Sequence, residues 1–478
     1  MRRSMLLYLT VILAGCVQPE KTLSDSPFFN DFAYDESDAI PNDLPLPDVG
    51  INQRPVLGVK KVLVSVVHWQ DGDTLNYPLI EKHTLSDDPD SLRSYILAAS
   101  QGKLTLNGQV ISYTSGPRPD ICKSGTPMPM ALATSEGDKA ARANGLDPDN
   151  FDFLINLIDC GGNASANRPG RTIGVYGQSL SPHVYKHEFG HNLGYAHGST
   201  YTKCAKNGET VKAPAGCTTI GYGDTGDPVS GSGTLYPAFN RWYSGWLDEA
   251  QATTIKTTGL YRLGVLGDSN PQLYLIDRPG NGARTRNFLA LEYRKPTAFD
   301  NFPPNDNRVT GVWARFSTLV YYSSYMINTQ LDGTPETATT ADPTLQSGRT
   351  LVDEDAKIKV KVCSTDANGA SIAVSVEGES LPDCDTPFIS APQQDWVTGP
   401  LPMFSGSTSV PNATITVISF GNPAKVLATS KADELGRWSV RANKELDTWR
   451  TISIQAGQAL NGQPAKWSEG RSFHVIER

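Results

Sequence analysis

The sequence predicts an α/β domain, a twisted sheet with helices packed on it, followed by β-sandwich domains. Three observations predict it. Val62-Leu63-Val64-Ser65-Val66-Val67 is an apolar, β-branched run of the kind that forms a buried strand. Helical stretches near 91–100 and 130–143 and a second strand near 153–158 follow it, and such a mixture favours a layered α/β domain. From about residue 250, short alternating runs separated by Gly, Pro, Asn and Asp clusters replace any helical period, which is the texture of β-sandwiches. At 478 residues the chain is long enough for several domains with proper cores.

The first sixteen residues read as an export signal. Arg2 and Arg3 supply positive charge, and Met5 to Ala14 is an apolar run of ten, too short to span a bilayer. Leu13-Ala14-Gly15-Cys16 has the small-residue form of a cleavage site. It resembles the lipobox of bacterial lipoproteins, which implies a signal peptide over residues 1–15 and a lipid on Cys16 that holds the chain to a membrane. An ordinary secretory signal that contains a cysteine is the alternative. Val17 follows Cys16 where an aspartate would suggest inner-membrane retention, so the resemblance implies an outer-membrane or cell-surface lipoprotein of the bacterial envelope, with release also open.

Residues 16–55 follow as an acidic, flexible tether. Within 21–50, Asp25, Asp31, Asp35, Glu36, Asp38, Asp43 and Asp48 face Lys21 alone, giving −6 of the chain's net −8. Such a segment stays solvated and unfolded, although an aspartate placed over the metal as a latency device is a second reading. The remainder is near neutral and has no basic stripe, which argues against nucleic acid as a partner.

Residues 56–250 are expected to form the catalytic domain, and one stretch in them carries the chemistry. His187-Glu188-Phe189-Gly190-His191-Asn192-Leu193-Gly194-Tyr195-Ala196-His197 has the form H-E-x-x-H-x-x-G-x-x-H. A helix from about 183 to 193 puts His187 and His191 on one face, about one turn apart. Glu188 points to one side of that face, where it can reach a metal-bound water without being a ligand. A third ligand at position 197 requires a turn, and Gly194 supplies it, because glycine takes a left-handed conformation at no steric cost. His187, His191 and His197 then leave one zinc position open for water, whose proton Glu188 takes during attack on a carbonyl. Such spacing arises by chance in roughly one chain in 10⁵. A closed structural site would need a fourth protein ligand, and His183 lies one helical turn before His187, but after Pro182 it reads as the helix entrance. Asp147, Asp149 and Asp152 admit calcium by their spacing, yet without a complete ligand loop they read as a turn before the strand.

With this motif the chain resembles the metzincin clan of zinc endopeptidases, and within it the gametolysin family is closest. The resemblance extends to Asp90-Ser91-Leu92 through Leu104, to Phe153–Ile158 as a central strand and to Thr172–Gly177 as the strand bordering the cleft. It continues through Tyr222-Gly223-Asp224, Phe239-Asn240 to Leu247, Asn287 to Arg294, Gly311-Val312 and Leu345 to Asp353, covering roughly residues 55–380. It implies a metzincin-like catalytic fold, one catalytic zinc and peptide-bond hydrolysis of a protein or glycoprotein substrate held by β-addition along 172–177. The clan has a methionine in a turn beneath the metal, whereas Asp227 to Gly233 has none, and Val229 or Ser230 would take that place. A tyrosine near this turn assists the transition state in some members, which makes Tyr222 and Tyr236 candidates, each of them also readable as a packed aromatic.

Residues 251–384 are expected to form a β-sandwich, and a proline-rich break at 382–402 leads to a second one over 385–478. Ala413-Thr414-Ile415-Thr416-Val417-Ile418, Gly436 to Val440 and Ile452-Ser453-Ile454 are strands at sandwich spacing and resemble a bacterial immunoglobulin-like domain. Seven cysteines complete the pattern. Setting Cys16 aside leaves six, an even number suited to an oxidising compartment. Nearest-neighbour pairing gives Cys122–Cys160, Cys204–Cys217 and Cys363–Cys384 among fifteen formal pairings. A monomeric, lipid-anchored zinc endopeptidase cutting extracellular proteins is therefore expected. A mucin- or glycoprotein-directed protease and an inactive surface adhesion lipoprotein are the alternatives.

Overall fold

The computed structural model describes residues 53–72, 74–123, 129–161, 164–177, 181–280, 285–320, 325–421, 423–459 and 465–477. Residues 1–52, on which the expected signal sequence, Cys16 and most of the expected tether fall, lie outside the described residues. The chain is mostly β-strand arranged in several sheets, with few helices.

The strands β1 (Gly58–His68), β2 (Leu104–Thr114), β3 (Phe153–Ile158), β4 (Ala164–Ala166) and β5 (Thr172–Tyr176) form a five-stranded sheet in the order β2-β1-β3-β5-β4. All are parallel except β4, which returns antiparallel along β5 with Ala164 opposite Val175. Parallel neighbours need long crossovers. The helices α1 (Tyr77–Thr84) and α2 (Leu92–Ala99) supply the first, and α3 (Asp120–Lys123) and α4 (Met130–Ala143) the second. Side chains alternate across the sheet. Val64, Val66, Ile155 and Leu157 pack toward α2 and the helix α5 (Pro182–Asn192), while Leu63, Val67, Leu154 and Ile158 pack with Ala133 and Ala140 of α4. Both faces are covered, which is why these strands are near-continuous apolar runs in the sequence.

The chain continues through β6 (Ser199–Thr202), β7 (Ala205–Asn207), β8 (Thr210–Lys212), β9 (Thr218–Ile220), α6 (Ala238–Tyr243), β10 (Ala252–Thr254), β11 (Gly259–Gly264), β12 (Leu273–Arg278) and β13 (Thr285–Tyr293). It then forms α7 (Asn307–Thr310), β14 (Val312–Val320), β15 (Tyr325–Leu331), β16 (Thr350–Asp353), β17 (Ile358–Asp366) and β18 (Gly369–Ser375). These strands make a seven-stranded sheet, β10-β12-β13-β14-β15-β6-β9, and a six-stranded sheet, β11-β18-β17-β16-β8-β7. The two share a core to which Tyr274, Leu291 and Phe316 come from one sheet and Leu263, Val360 and Ile372 from the other.

Both sheets draw strands from either side of residue 250, where the sequence texture changes. Thr200 of β6 pairs with Gln330 of β15, and Val211 of β8 with Leu351 of β16. The other face of the seven-stranded sheet, through Leu275, Phe288, Leu319 and Met326, enters the same core as Phe189 of α5. The apolar floor beneath α5 therefore comes from residues far downstream of it.

Residues 388–475 form a three-stranded sheet from Phe388–Ala391, Met403–Ser407 and Arg437–Arg441, and a six-stranded one. Phe404, Ile415, Val417, Trp438 and Phe473 share their core. Disulfides join Cys122 to Cys160, Cys204 to Cys217 and Cys363 to Cys384, the pairing expected from nearest neighbours. Three such crosslinks mark an oxidising environment. Among the described residues no helix is long and apolar enough to cross a membrane.

Candidate metal centre

The hydroxyl of Ser181 accepts the His183 N–H at 3.3 Å and caps α5, and Pro182 fills the first turn with its preset φ. The helix is buried from Tyr185 to Asn192, so its polar residues point into the protein rather than onto a solvated face. The ring centroids of His187 and His191 lie 4.9 Å apart, and that of His197 lies 5.3 Å and 4.6 Å from them. One nitrogen from each of the three comes within 4.8 Å of the others, and Nε2 of His191 is 3.0 Å from Nε2 of His197. Among the described residues this is the one such group of three or more potential metal ligands. His183 stands outside it, in the first turn of α5, its ring centroid 5.9 Å from that of His187.

Two backbone carbonyls set the orientation of the helix imidazoles. Nδ1 of His187 lies 2.9 Å from the Pro228 oxygen, and Nδ1 of His191 lies 2.7 Å from the Tyr195 oxygen. A carbonyl oxygen can only accept, so both rings carry their proton on Nδ1 and leave the Nε2 lone pair for a cation. Burial, and then the charge of neighbouring histidines, hold both rings well below the ordinary histidine range. They are neutral at physiological pH, the state a metal needs.

Gly194 ends the helix with φ +97°, and its N–H reaches the His191 carbonyl at 2.8 Å. The turn after it is pinned by β15: the Met326 N–H donates to the Gly194 oxygen, and the Ala196 N–H donates to the Met326 oxygen, both at 2.9 Å. His197 follows directly.

Glu188 is buried, and its Oε2 has no hydrogen-bond partner among the described residues. Burial pushes its carboxyl up to about 8. A nearby cation would draw it down again. A buried carboxyl with Oε2 unpartnered, together with three converging imidazoles of which His187 and His191 are held neutral, is a donor set that fits a divalent ion with a water or substrate group between metal and carboxylate.

The Pro228 carbonyl belongs to a turn with several anchors. The Val229 N–H donates to Oδ1 of Asp227, and the Ser230 hydroxyl donates to the Gly198 oxygen, each at 2.9 Å. Val229 is fully buried, and a Cβ placed on Gly190 would come within 2.5 Å of its Cγ2. Glycine at the middle of the motif is thus required by the residue beneath it. Farther out, Arg315 grips both oxygens of Asp224 at 2.7 and 3.0 Å and Oε1 of Glu292 at 2.6 Å. Arg294 joins Glu292 to Asp300 and donates to the Gly226 oxygen at 2.9 Å. Burial alone would raise Glu292, but the charges of Arg294 and Arg315 outweigh it and hold the carboxyl down to about 2. Burial and the neighbouring charge of Asp224 push Asp227 up to about 7.

The two candidate tyrosines part company. Tyr222 is half-buried with its ring centroid 4.0 Å from that of His197, and it adopts φ 55°, a strained conformation for a bulky residue. Tyr236 is fully buried, stacks edge-on against Tyr95 and Tyr195, and donates its hydroxyl to the Lys186 oxygen. Tyr236 is a packing residue.

One expectation is corrected. The sequence resemblance implies that the strand 172–177 borders the cleft and holds a substrate. Both edges of β5 are already occupied, by β3 and by β4, so it has none to offer. β4 packs against α5 and is the outer strand on that side. The turn-forming reading of the three aspartates also has a physical basis. Asp147 caps the turn by accepting from the Asp149 N–H, Asp149 pairs with Arg171 at 3.0 Å, and Asp152 accepts from the Lys61 N–H at 2.7 Å.

Asp224, Glu292 and Arg294 lie within the runs that carry the family resemblance, but their joint role was not legible there. Arg315 and Met326 lie outside those runs. The available signal was a charged residue inside an apolar strand, as in Leu289-Ala290-Leu291-Glu292 and Val312-Trp313-Ala314-Arg315. No protein-family model matches the chain, and no curated protein matches it significantly.

Proposed function

We propose that the chain is a zinc endopeptidase of the metzincin clan, nearest to the gametolysin family, that cuts extracellular proteins while tethered by a lipid on Cys16. The observation that carries this is the convergence of three imidazoles, two of them held neutral, with the adjacent buried Glu188, whose Oε2 has no partner among the described residues. Three imidazoles suit zinc, which when bound would supply Lewis acidity to a scissile carbonyl and acidify a water. His187, His191 and His197 would hold the ion, the first two pre-oriented through their Nδ1 protons. Glu188 would take the proton of the attacking water at Oε2 and pass it to the leaving amine. Its buried position keeps that proton from bulk solvent. Tyr222, beside His197, would donate its hydroxyl to the oxygen that gains charge. A substrate strand would add to β4 rather than to β5. Val229 fills the place under the helix that the clan gives to methionine, and as an apolar packing residue it leaves the ligand set intact.

The decisive experiment uses the purified full chain. It should hold one zinc by elemental analysis and cleave members of a peptide and glycoprotein library. Glu188→Gln should retain zinc and lower cleavage by roughly 10²-fold or more. Undiminished cleavage by that variant sinks the mechanism. A chain that takes up no zinc at neutral pH favours the inactive adhesion lipoprotein instead. Loss of cutting when a mucin is deglycosylated would narrow the substrate to glycoproteins.

A further inference from the structure

The last residues before β1 are built into the fold rather than hanging from it. The Gln53 side chain donates to the Trp242 oxygen at 2.7 Å, the Arg54 N–H to the Tyr243 oxygen at 2.7 Å, and the Val56 N–H to the Ser244 oxygen at 3.1 Å. The Trp246 indole N–H returns a bond to the Val56 oxygen at 2.9 Å. Residues 53–56 thus form a strap across the C-terminal end of α6. Arg54 is only 3% exposed, and its side chain runs on to a second helix end. Its Nη1 lies 3.3 Å from the Asn192 oxygen and 3.5 Å from the Leu193 oxygen, the final carbonyls of α5.

A helix leaves its last carbonyls without intrahelical partners, and its C-terminal end carries partial negative charge. In α5 the earlier ones are answered locally: Leu193 N–H reaches the Phe189 oxygen, Tyr195 N–H the Gly190 oxygen, and Gly194 N–H the His191 oxygen. The Gly170 N–H shares the Asn192 oxygen at 3.1 Å. Arg54 covers what remains, and its fixed charge is of the sign that this end attracts. These two carbonyls lie between the second proposed ligand, His191, and Gly194, which turns the chain toward the third. Two residues beyond Leu193, Tyr195 supplies the carbonyl that orients His191, and its hydroxyl contacts the Asn240 oxygen and Ser244 in the same α6 end that the strap crosses.

We propose that Arg54 is a positioning residue of the metal centre: by tying the end of α5 to the end of α6 it holds the turn that brings His197 onto the ion and His191 into register. The inference rests on the assignment of His187, His191 and His197 as metal ligands. Both contacts come from Nη1, so lysine would keep the charge but lose the rigid planar group that places that nitrogen between the two carbonyls.

The test uses the full chain with Arg54→Met, which keeps the stem and removes the donors, and Arg54→Lys. Zinc affinity is read by competition with a chelating dye, the fold by circular dichroism, and kcat and KM separately on a cleaved peptide. Arg54→Met should weaken zinc roughly 10–100-fold, as loss of an outer partner of a ligand does, and should lower kcat with little change in KM. Arg54→Lys should fall between. Zinc affinity within about twofold of the unsubstituted protein in folded Arg54→Met overturns the inference alone, twofold being small beside that expected loss. If Arg54→Met fails to fold, the same criterion passes to Arg54→Lys. Loss of fold in both overturns it as well, because Arg54 would then hold the domain rather than the turn. Absence of zinc binding by the unsubstituted protein overturns the ligand assignment and this inference together.

Discussion

Nδ1 of His187 sits 2.9 Å from the carbonyl oxygen of Pro228, forty-one residues away in sequence. The partner is backbone, so no side-chain change removes it. Its position depends on the loop that carries it, and that loop is held from outside by charged groups with almost no access to water.

Arg315 is the first of these. It bridges Asp224 and Glu292, and all three are buried. Arg315→Met leaves two acids without their shared cation, which should destabilise the protein by about 3–5 kcal/mol in urea unfolding. Zinc affinity of the folded fraction should fall with it, since the Pro228 carbonyl loses its anchorage. Unchanged stability would mean that the loop is held by its own turn alone.

Gly190 tests the contact beneath the helix. Gly190→Ala places a methyl group 2.5 Å from Cγ2 of Val229 and should cost about 1–3 kcal/mol by overpacking. Val229→Ala should recover part of that loss in the double variant, because the two side chains compete for one space. Strictly additive effects would show that the strain lies elsewhere.

The buried acids give opposite pH dependences. Glu292 is depressed to about 2 from 4.5, so its contribution is full above about 4.5 and is lost as pH falls through about 2. Asp227 is raised to about 7 from 3.8, so its contribution is full below about 3.8 and is lost as pH rises through about 7. In urea titrations with metal chelated, raised Glu188 adds to this decline and depressed His187 and His191 oppose it, so the Asp227 part is read between pH 4 and pH 7 as the difference between the unsubstituted chain and Asp227→Asn. Asp227→Asn should flatten that decline, since the amide stays neutral and still accepts from Val229. An equal decline in the variant would assign it to another group.

What could be read from the chain without coordinates was what neighbours in sequence decide. The i, i+4 histidines, the helix 130–143, the strand 153–158 and the short-range disulfides all follow from local spacing, and the structure has these elements. The role of β4 was missed because three residues, Ala164-Ser165-Ala166, have no alternating apolar pattern to announce a strand. The strands that cross residue 250 were missed for a different reason. β6 and β8 are four and three residues long, and their partners lie far away along the chain. Pairing over such distances leaves no periodic trace. The Asp224–Arg315–Glu292 group is of the same kind: each residue is an isolated charge until the fold brings the three together.

The pairing of β6 with β15 also sets an order of events. The Gln330 amide donates to the Thr200 hydroxyl across 130 residues of chain. Hairpins such as β13–β14 and β14–β15 can zip from local contacts, but β6 has no partner on this side until β15 exists. His197 stands two residues before β6, and its turn is fixed by Met326 of β15. A chain emerging from its N-terminus can therefore form the helix with His187 and His191 early, yet it brings in the third histidine only after residue 331 has appeared. The three-histidine group is thus complete only in a chain long enough to include β15, and a shorter piece of it holds two histidines in place and lacks the contact that fixes the third.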